Sequence, residues 1–289
     1  MNPPDVSPAV DDGKPKRVPE SSVIFTQRQI GAIDVQPPDW HPDEHPAMNG
    51  IVGRSREPHV YACAYCHLPN GAGRPENASL AGLSANYIKA QITAFRGGNR
   101  PGSEPRRTLH SLMSSLAKKL TEAEIEASAA YFAALTPISF IKVAESPIVP
   151  RTAVSGWMLT KSPGARTQPI GNRIIELAQD VERFEHRDSR TRYIAYVPVG
   201  SLARGADLVT TGSAGRKLPC AACHGPDLKG LADVPRIAGR SPSYLFRQLY
   251  DLREGTRKGA AAELMKPVVA NLTDADMVAI AAFLASRKP

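Results

Sequence analysis

The chain contains four cysteines, and all of them fall in two copies of one pattern, Cys63-Ala64-Tyr65-Cys66-His67 and Cys220-Ala221-Ala222-Cys223-His224. No other feature restricts the fold so strongly. Two thiols separated by two residues at the start of a helix can each add to one vinyl group of a porphyrin, and the next residue then turns its imidazole towards the iron. C-x-x-C-H is the attachment pattern for c-type haem, so two copies imply two covalently held haem c groups on Cys63, Cys66, Cys220 and Cys223, with His67 and His224 as iron ligands. The competing readings are a pair of redox dithiols or one zinc site built from both cysteine pairs. A redox dithiol does not require the following histidine, and a zinc ribbon usually separates its pairs by roughly 15–20 residues. Here the pairs lie about 150 residues apart.

The sequence repeats itself around these motifs, which is the signature of duplicated units. At an offset of 157, Leu80-Ala81-Gly82 aligns with Ile237-Ala238-Gly239, Tyr87 with Tyr244, Gln91 with Gln248, Arg96 with Arg253 and Arg100 with Arg257. At an offset of 152, Met113 aligns with Met265, Leu120-Thr121 with Leu272-Thr273 and Tyr131 with Phe283. The repeats read as helices. Ser241-Pro242 combines an N-cap with proline at the first helical position, and Gly255 is placed to stop the helix that follows. Thr121-x-x-Glu124 and Thr273-x-x-Asp276 are capping boxes that open the last helix of each copy. Aromatics make up only 6% of the chain, so porphyrins would supply part of the hydrophobic mass of two small cores.

The sixth iron ligand separates a closed electron carrier from a haem that binds substrate. Met113 and Met265 recur at one repeat position, seven residues before the Leu-Thr that opens the last helix, so they are the candidate ligands. His110, three residues before Met113, is the rival in the first copy; its counterpart at offset 152 is Ala262. Met277 has core spacing on the last helix and reads as packing.

Residues 55–136 and 200–289 resemble the two halves of a dihaem class I cytochrome c of the c-four type. The resemblance rests on C-x-x-C-H, Leu/Ile-Ala-Gly, Tyr-x-x-x-Gln, Phe-Arg-Gly-Gly or Leu-Arg-Glu-Gly, and Met seven residues before Leu-Thr. It implies a mainly α protein, with His/Met-ligated haems facing one another across a pseudo-two-fold interface. It also implies that Tyr87, Tyr244, Arg96 and Arg253 lie near the porphyrin edges, where simple packing is the alternative. The expected organisation is a Pro-rich extended arm over 1–50, a haem domain over 51–136, a small β-rich insertion over 137–199 and a second haem domain over 200–289. Three features depart from the family pattern: the length of that insertion, the arm, and Ala78 at the position where the second copy has Pro235. The family's proline carbonyl supports the haem-ligating imidazole, so Ala78 puts that support in question in the first copy.

The arm holds 9 of the 26 prolines and reads as extended or disordered, with Trp40-His41-Pro42 and His45-Pro46 able to pack on the first haem domain. In the insertion, Phe140–Val143, Tyr193–Val197 and Gly156–Leu159 read as strands and the charged stretch Glu182–Arg192 as a solvated loop. Residues 1–136 carry 14 Lys+Arg against 14 Asp+Glu, and 137–289 carry 22 against 14, so the whole excess of +8 lies in the second part. The basic residues cluster only as pairs, Arg106-Arg107, Lys118-Lys119 and Arg216-Lys217, with no interleaved aromatics. Nucleic acid is not an expected partner, and an uneven field of this kind steers charged proteins. No apolar run reaches the ~18 residues of a membrane-spanning helix.

The expected function is electron transfer with redox partner proteins: a dehydrogenase, a terminal oxidase or a small carrier. The alternatives are a dihaem oxidoreductase of the thiosulfate dehydrogenase or peroxidase kind, and a cytochrome subunit of a larger dehydrogenase. No catalytic set beyond the haems stands out. Haem c is attached outside the cytoplasm, so a periplasmic location and a signal peptide are expected; Met1-Asn2-Pro3-Pro4 has no apolar signal core.

Overall fold

The computed structural model describes residues 11–104, 108–155, 158–164, 166–215 and 217–289. Arg106-Arg107, Gly156-Trp157 and Arg216 lie outside the described residues. Each motif opens a short helix inside its own helical half, as the repeat predicts.

The described part of the arm is extended apart from α1 (Gln27–Gly31), which Thr26 and Gln29 close with a capping box, and a 3-10 turn at Pro42–Glu44. It is docked rather than loose. Trp40 is 2% exposed, meets Phe25 edge-on, and donates its indole N–H to the His186 carbonyl at 2.7 Å. The first half then contributes α2 (Cys63–His67), α3 (Ala85–Arg96), α4 (Thr108–Lys119) and α5 (Glu122–Ala134). Ser84 caps α3, and Thr121 with Glu124 forms the expected capping box of α5. Their apolar faces, including Ile88, Ile92, Ala117, Ile125 and Phe132, meet in one core.

The insertion comprises β1 (Ile141–Glu145), β2 (Ile148–Pro150), β3 (Thr152–Ser155), β4 (Met158–Lys161), β5 (Thr167–Pro169), β6 (Ile175–Ala178), α6 (Val181–Glu185) and β7 (Tyr193–Val197). Strand β7 is central in a sheet of order β1-β7-β6, parallel to β1 in the register Ile141 to Tyr193 and antiparallel to β6. Its Tyr193, Ala195 and Val197 are buried while Ile194 and Tyr196 are half-buried, the period of two that a strand requires. The stretch Glu182–Arg192 differs from the expected solvated loop. It forms part of α6 and then buries His186, Asp188, Ser189 and Thr191. The physical reason is pairing: Asp188, fully buried, accepts from Arg183 at 2.6 Å and faces His41 of the arm at 3.0 Å. Both carboxylate oxygens of Asp188 thus find partners without water, which is what lets this polar stretch lie inside the protein.

The second half contains α7 (Ser201–Gly215), α8 (Ala221–His224), α9 (Pro242–Arg253), α10 (Ala260–Glu263), α11 (Lys266–Val269) and α12 (Asp274–Ser286). Ser241 caps α9 with Pro242 in its first turn, and Gly255 follows the helix at φ 68°, the left-handed conformation that ends it. Helix α7 lies against α12 so closely that a Cβ at Gly205 would stand 2.1 Å from the Ala279 carbonyl oxygen. In the first half the short turn Gly50–Val52 occupies the corresponding place beside α5. Among the described residues no single helix is long and apolar enough to cross a membrane; α10–α11 with α12 would pass only as a pair bent by 113°.

Candidate haem sites

Each motif histidine is held by a backbone carbonyl eleven residues on. His67 Nδ1 donates to the Ala78 carbonyl at 2.8 Å, and His224 Nδ1 donates to the Pro235 carbonyl at 2.8 Å. The acceptor is the peptide group, so alanine serves as well as proline, and the support that Ala78 put in question is present. With Nδ1–H engaged, Nε2 of each ring keeps its lone pair for a metal. Burial pushes both imidazoles down from their ordinary values, which keeps them neutral.

Burial pushes the Cys63 thiol up to about 12 and the Cys220 thiol up to about 11, and raises Cys66 as well. Thiols held so far from thiolate are poor redox nucleophiles. Among the described residues no three His, Cys, Asp or Glu side chains group as a metal site, so the two cysteine pairs do not build one zinc centre.

Cys63, Cys66 and His67 line an apolar cavity whose walls include Leu83, Ile92, Leu116 and Phe132. Met113 and His110 both line it, one turn apart on α4. In the second half Cys220 and Met265 pack against one core, as Cys63 and Met113 do in the first. The placement of Met113 and Met265 is therefore repeated in space as well as in sequence.

The second half also contributes Arg240, Tyr244, Arg247 and Gln248 to the wall of the first cavity. Between the halves runs a crossed clamp. Arg100 donates to its own Gln91 at 3.1 Å and to Gln248 at 2.6 Å; Arg257 donates to its own Gln248 at 3.1 Å and to Gln91 at 3.1 Å. Tyr87 completes it by accepting from Arg257 at 3.1 Å. These are the reciprocal contacts of an isologous interface. Arg96 and Arg253 have a different use. Arg96 at the end of α3 binds the carbonyls of Ala117 and Leu120, and Arg253 at the end of α9 binds that of Leu272, so each ties its helix end to the turn that leads into the last helix of its half. Arg96 is not in the cavity wall. The arginines that sequence reasoning passed over, Arg100 and Arg257, stood in the repeat as identities of equal weight.

The cavity and its surroundings fit a haem. Arg236 and Arg240 are buried side by side, donate to the carbonyls of Ala81 and Ser79, and each leaves a buried Nε without a partner. Among the described residues neither they nor Arg100 pairs with a carboxylate. Burial and the charge of Arg240 push Arg236 down to about 9. Burial pushes the Tyr244 hydroxyl up, but Arg240, Arg100 and Arg257 outweigh it and draw it down to about 8. Buried cations without counter-charge are costly. A group that presents an apolar ring to the cavity and carboxylates to Arg100 and Arg240 in its wall removes that cost there, and haem, with its two propionates, is such a group.

Comparison with known proteins agrees. A family model described as cytochrome c matches residues 59–136 and 202–288. A thiosulfate dehydrogenase electron acceptor of Stutzerimonas stutzeri (strain A1501) is 28% identical over 233 residues, covering 79% of this chain and 80% of that protein. A solved thiosulfate dehydrogenase from Marichromatium purpuratum aligns with a TM-score of 0.51 and 29% identity over 78% of this chain, which spans only 36% of that one. Cytochrome c4 of Acidithiobacillus ferrooxidans aligns with a TM-score of 0.50 and 23% identity, over 78% of this chain and 97% of that one, and shares the fold of two tandem haem domains. Motifs, cavity and relatives converge: the chain belongs to the cytochrome c family and is a dihaem electron-transfer protein carrying two covalently bound c-type haems.

Proposed function

We propose that the chain is a periplasmic electron carrier in which His67 and Met113 ligate the first iron, and His224 and Met265 the second. Cys63, Cys66, Cys220 and Cys223 hold the porphyrins through thioethers. The observation that carries this reading is the pair of imidazoles anchored through Nδ1, each in a half where a repeated methionine packs against the same core as the motif. The haem supplies a one-electron couple at each iron. The chain holds the imidazoles neutral and oriented, surrounds the ring with apolar side chains and supplies arginines for the propionates. Two thioether ligands would leave no open coordination position and raise both potentials, which suits a carrier rather than a site of substrate chemistry. Tyr87 and Tyr244 belong to the haem surroundings through the interface; Arg96 and Arg253 act on helix ends.

The division into an arm (1–50), haem domains (51–136 and 200–289) and an insertion (137–199) is part of the same reading. The partner we propose is a dehydrogenase of small sulfur oxyanions such as thiosulfate, because a relative similar over most of the chain bears the name of that enzyme's electron acceptor. His110 gives a second reading for the first iron, since it lines the same cavity as Met113. An optical titration of the oxidised and reduced holo-protein, with and without carbon monoxide, tests both. Two sulfur-to-iron charge-transfer bands per chain and no response to carbon monoxide are expected. One band would move the first iron to His110, and carbon monoxide binding at either iron would overturn the closed carrier. Mixing the oxidised protein with a thiosulfate-oxidising dehydrogenase and its substrate should reduce both haems; no reduction would remove that partner.

A further inference from the structure

The two motifs are followed by matching chain segments whose surroundings differ at nearly every position. At the offset of 157, Tyr65 (5% exposed) corresponds to the exposed Ala222, half-buried Cys66 to exposed Cys223, and Asn70 and Ala72 (both buried) to exposed Asp227 and Lys229. The largest contrast is Arg74, 6% exposed, against Leu231, 67% exposed.

The cover over the first segment comes from the insertion and the arm. The Arg187 guanidinium lies 3.9 Å from the centre of the Tyr65 ring and donates to the Tyr65 carbonyl at 3.0 Å. Asn70 donates to the Ser189 carbonyl at 2.9 Å, and Arg74 lies 4.0 Å from the centre of the Phe184 ring. On the arm side Tyr65 donates its hydroxyl to the Gly31 carbonyl at 3.3 Å. Trp40, bonded to the His186 carbonyl, holds the cover from behind. Among the described residues no hydrogen bond joins the arm or the insertion to 222–232.

We infer that the arm and the insertion close the thioether side of the first haem to outside partners, so that electrons enter and leave the protein through the second haem, at the surface formed by 222–231. Electron transfer between proteins falls steeply with the thickness of polypeptide between donor and acceptor. A layer containing α6 and the arm therefore selects the site that lacks it. The first haem then exchanges electrons with the outside only by way of the second, across the clamped interface. This rests on the two-haem carrier reading and adds the direction of traffic to it.

The test uses the native cysteines' commitment to thioethers, which leaves an engineered cysteine as the free thiol. Leu231→Cys and, as the control beside Met113, the exposed Ser111→Cys are each capped with a poly(ethylene glycol) maleimide. The reduced holo-protein is mixed with hexacyanoferrate(III) in a stopped-flow instrument. Each Fe(II) gives one electron to one hexacyanoferrate(III), which leaves as hexacyanoferrate(II). The label at 231 should slow oxidation of both haems by about tenfold relative to the same unlabelled variant, and the label at 111 by less than about twofold. Adding Arg187→Ala to the protein labelled at 231 should recover part of the rate. Equal slowing by both labels, or none from the label at 231, would overturn the inference. The haem content of the same samples is read separately, and fewer than two haems per chain would overturn the dihaem reading instead.

Discussion

Residues 68–78 of the first half and 225–235 of the second each follow the motif histidine, turn back over the same face and end at the carbonyl that holds it, Ala78 in one and Pro235 in the other. One of these segments runs beneath α6 and the arm, and the other runs on the surface. The comparison separates two kinds of information. Holding an imidazole takes about a dozen consecutive residues and survives large changes in what surrounds them. Shielding that segment depends on residues from 30 to 190, brought together only when the whole chain folds.

Removing the cover should have the largest effect on this contrast. Trp40→Ala empties a fully buried indole site and should cost ~3–5 kcal/mol in the stability of the arm. Hydrogen exchange should then rise in 68–76 towards the values of 225–233, which should not change. If 68–76 stayed protected, the insertion alone would be the cover. The interface between the halves is the next test. Arg100→Ala and Arg257→Ala each remove charged hydrogen bonds to both halves and should cost ~1.5–3 kcal/mol. The two arginines share Gln91 and Gln248, so the double variant should depart from the sum of the singles. Calorimetry should show one unfolding transition separating into two.

Smaller effects distinguish the two last helices. Thr121→Ala and Thr273→Ala should each cost ~1 kcal/mol through loss of the N-cap. Both caps have a depressed carboxyl, Glu124 through one cation, Arg56, and Asp276 through two. Burial pushes the Asp276 carboxyl up, but Lys217 and Arg204 more than offset it and hold it well below the usual aspartate range. A depressed pKa contributes stability above the unfolded value and loses it as pH falls through that value towards the folded one. The second half should therefore lose this contribution only below about pH 4, and Asp276→Asn should flatten its stability profile there. The smallest effect belongs to the arm. Burial pushes the His45 imidazole down, yet Asp39 and the Pro46 carbonyl outweigh it and raise its pKa. A raised pKa stabilises below the ordinary histidine value and ceases to do so as pH rises through the folded one. The protection of the arm against exchange, taken relative to the intrinsic rate at each pH, should accordingly be slightly lower at about pH 8 than at about pH 6, and His45→Gln should remove the difference.

What could be read from the sequence was local or repeated. C-x-x-C-H carries its chemistry within five residues, the capping boxes within four, and the offset identities located both methionines and the clamp. The contacts of Arg96 and Arg100 could not be told apart in this way, because both are conserved across the two copies of the repeat and only the packing decides which faces the other half. Glu182–Arg192 misled for a related reason. Its charge density resembled that of a solvated loop, but Asp188 meets His41 across 147 positions of sequence, a separation at which composition says nothing about pairing. The cover over the first haem is built from such contacts, so it was visible only as an unexplained arm and an insertion longer than the family's linker.

The oxygen that fixes each imidazole belongs to the main chain. No exchange of Ala78 for another residue deletes it; only a displacement of the loop can. A saturation screen at position 78 would thus record a freely variable site, while an insertion or deletion of one residue between 67 and 78 would uncouple the ring. Tolerance to replacement and intolerance to changes of length would coexist at one place, and a ranking of positions by side-chain variability alone would overlook it.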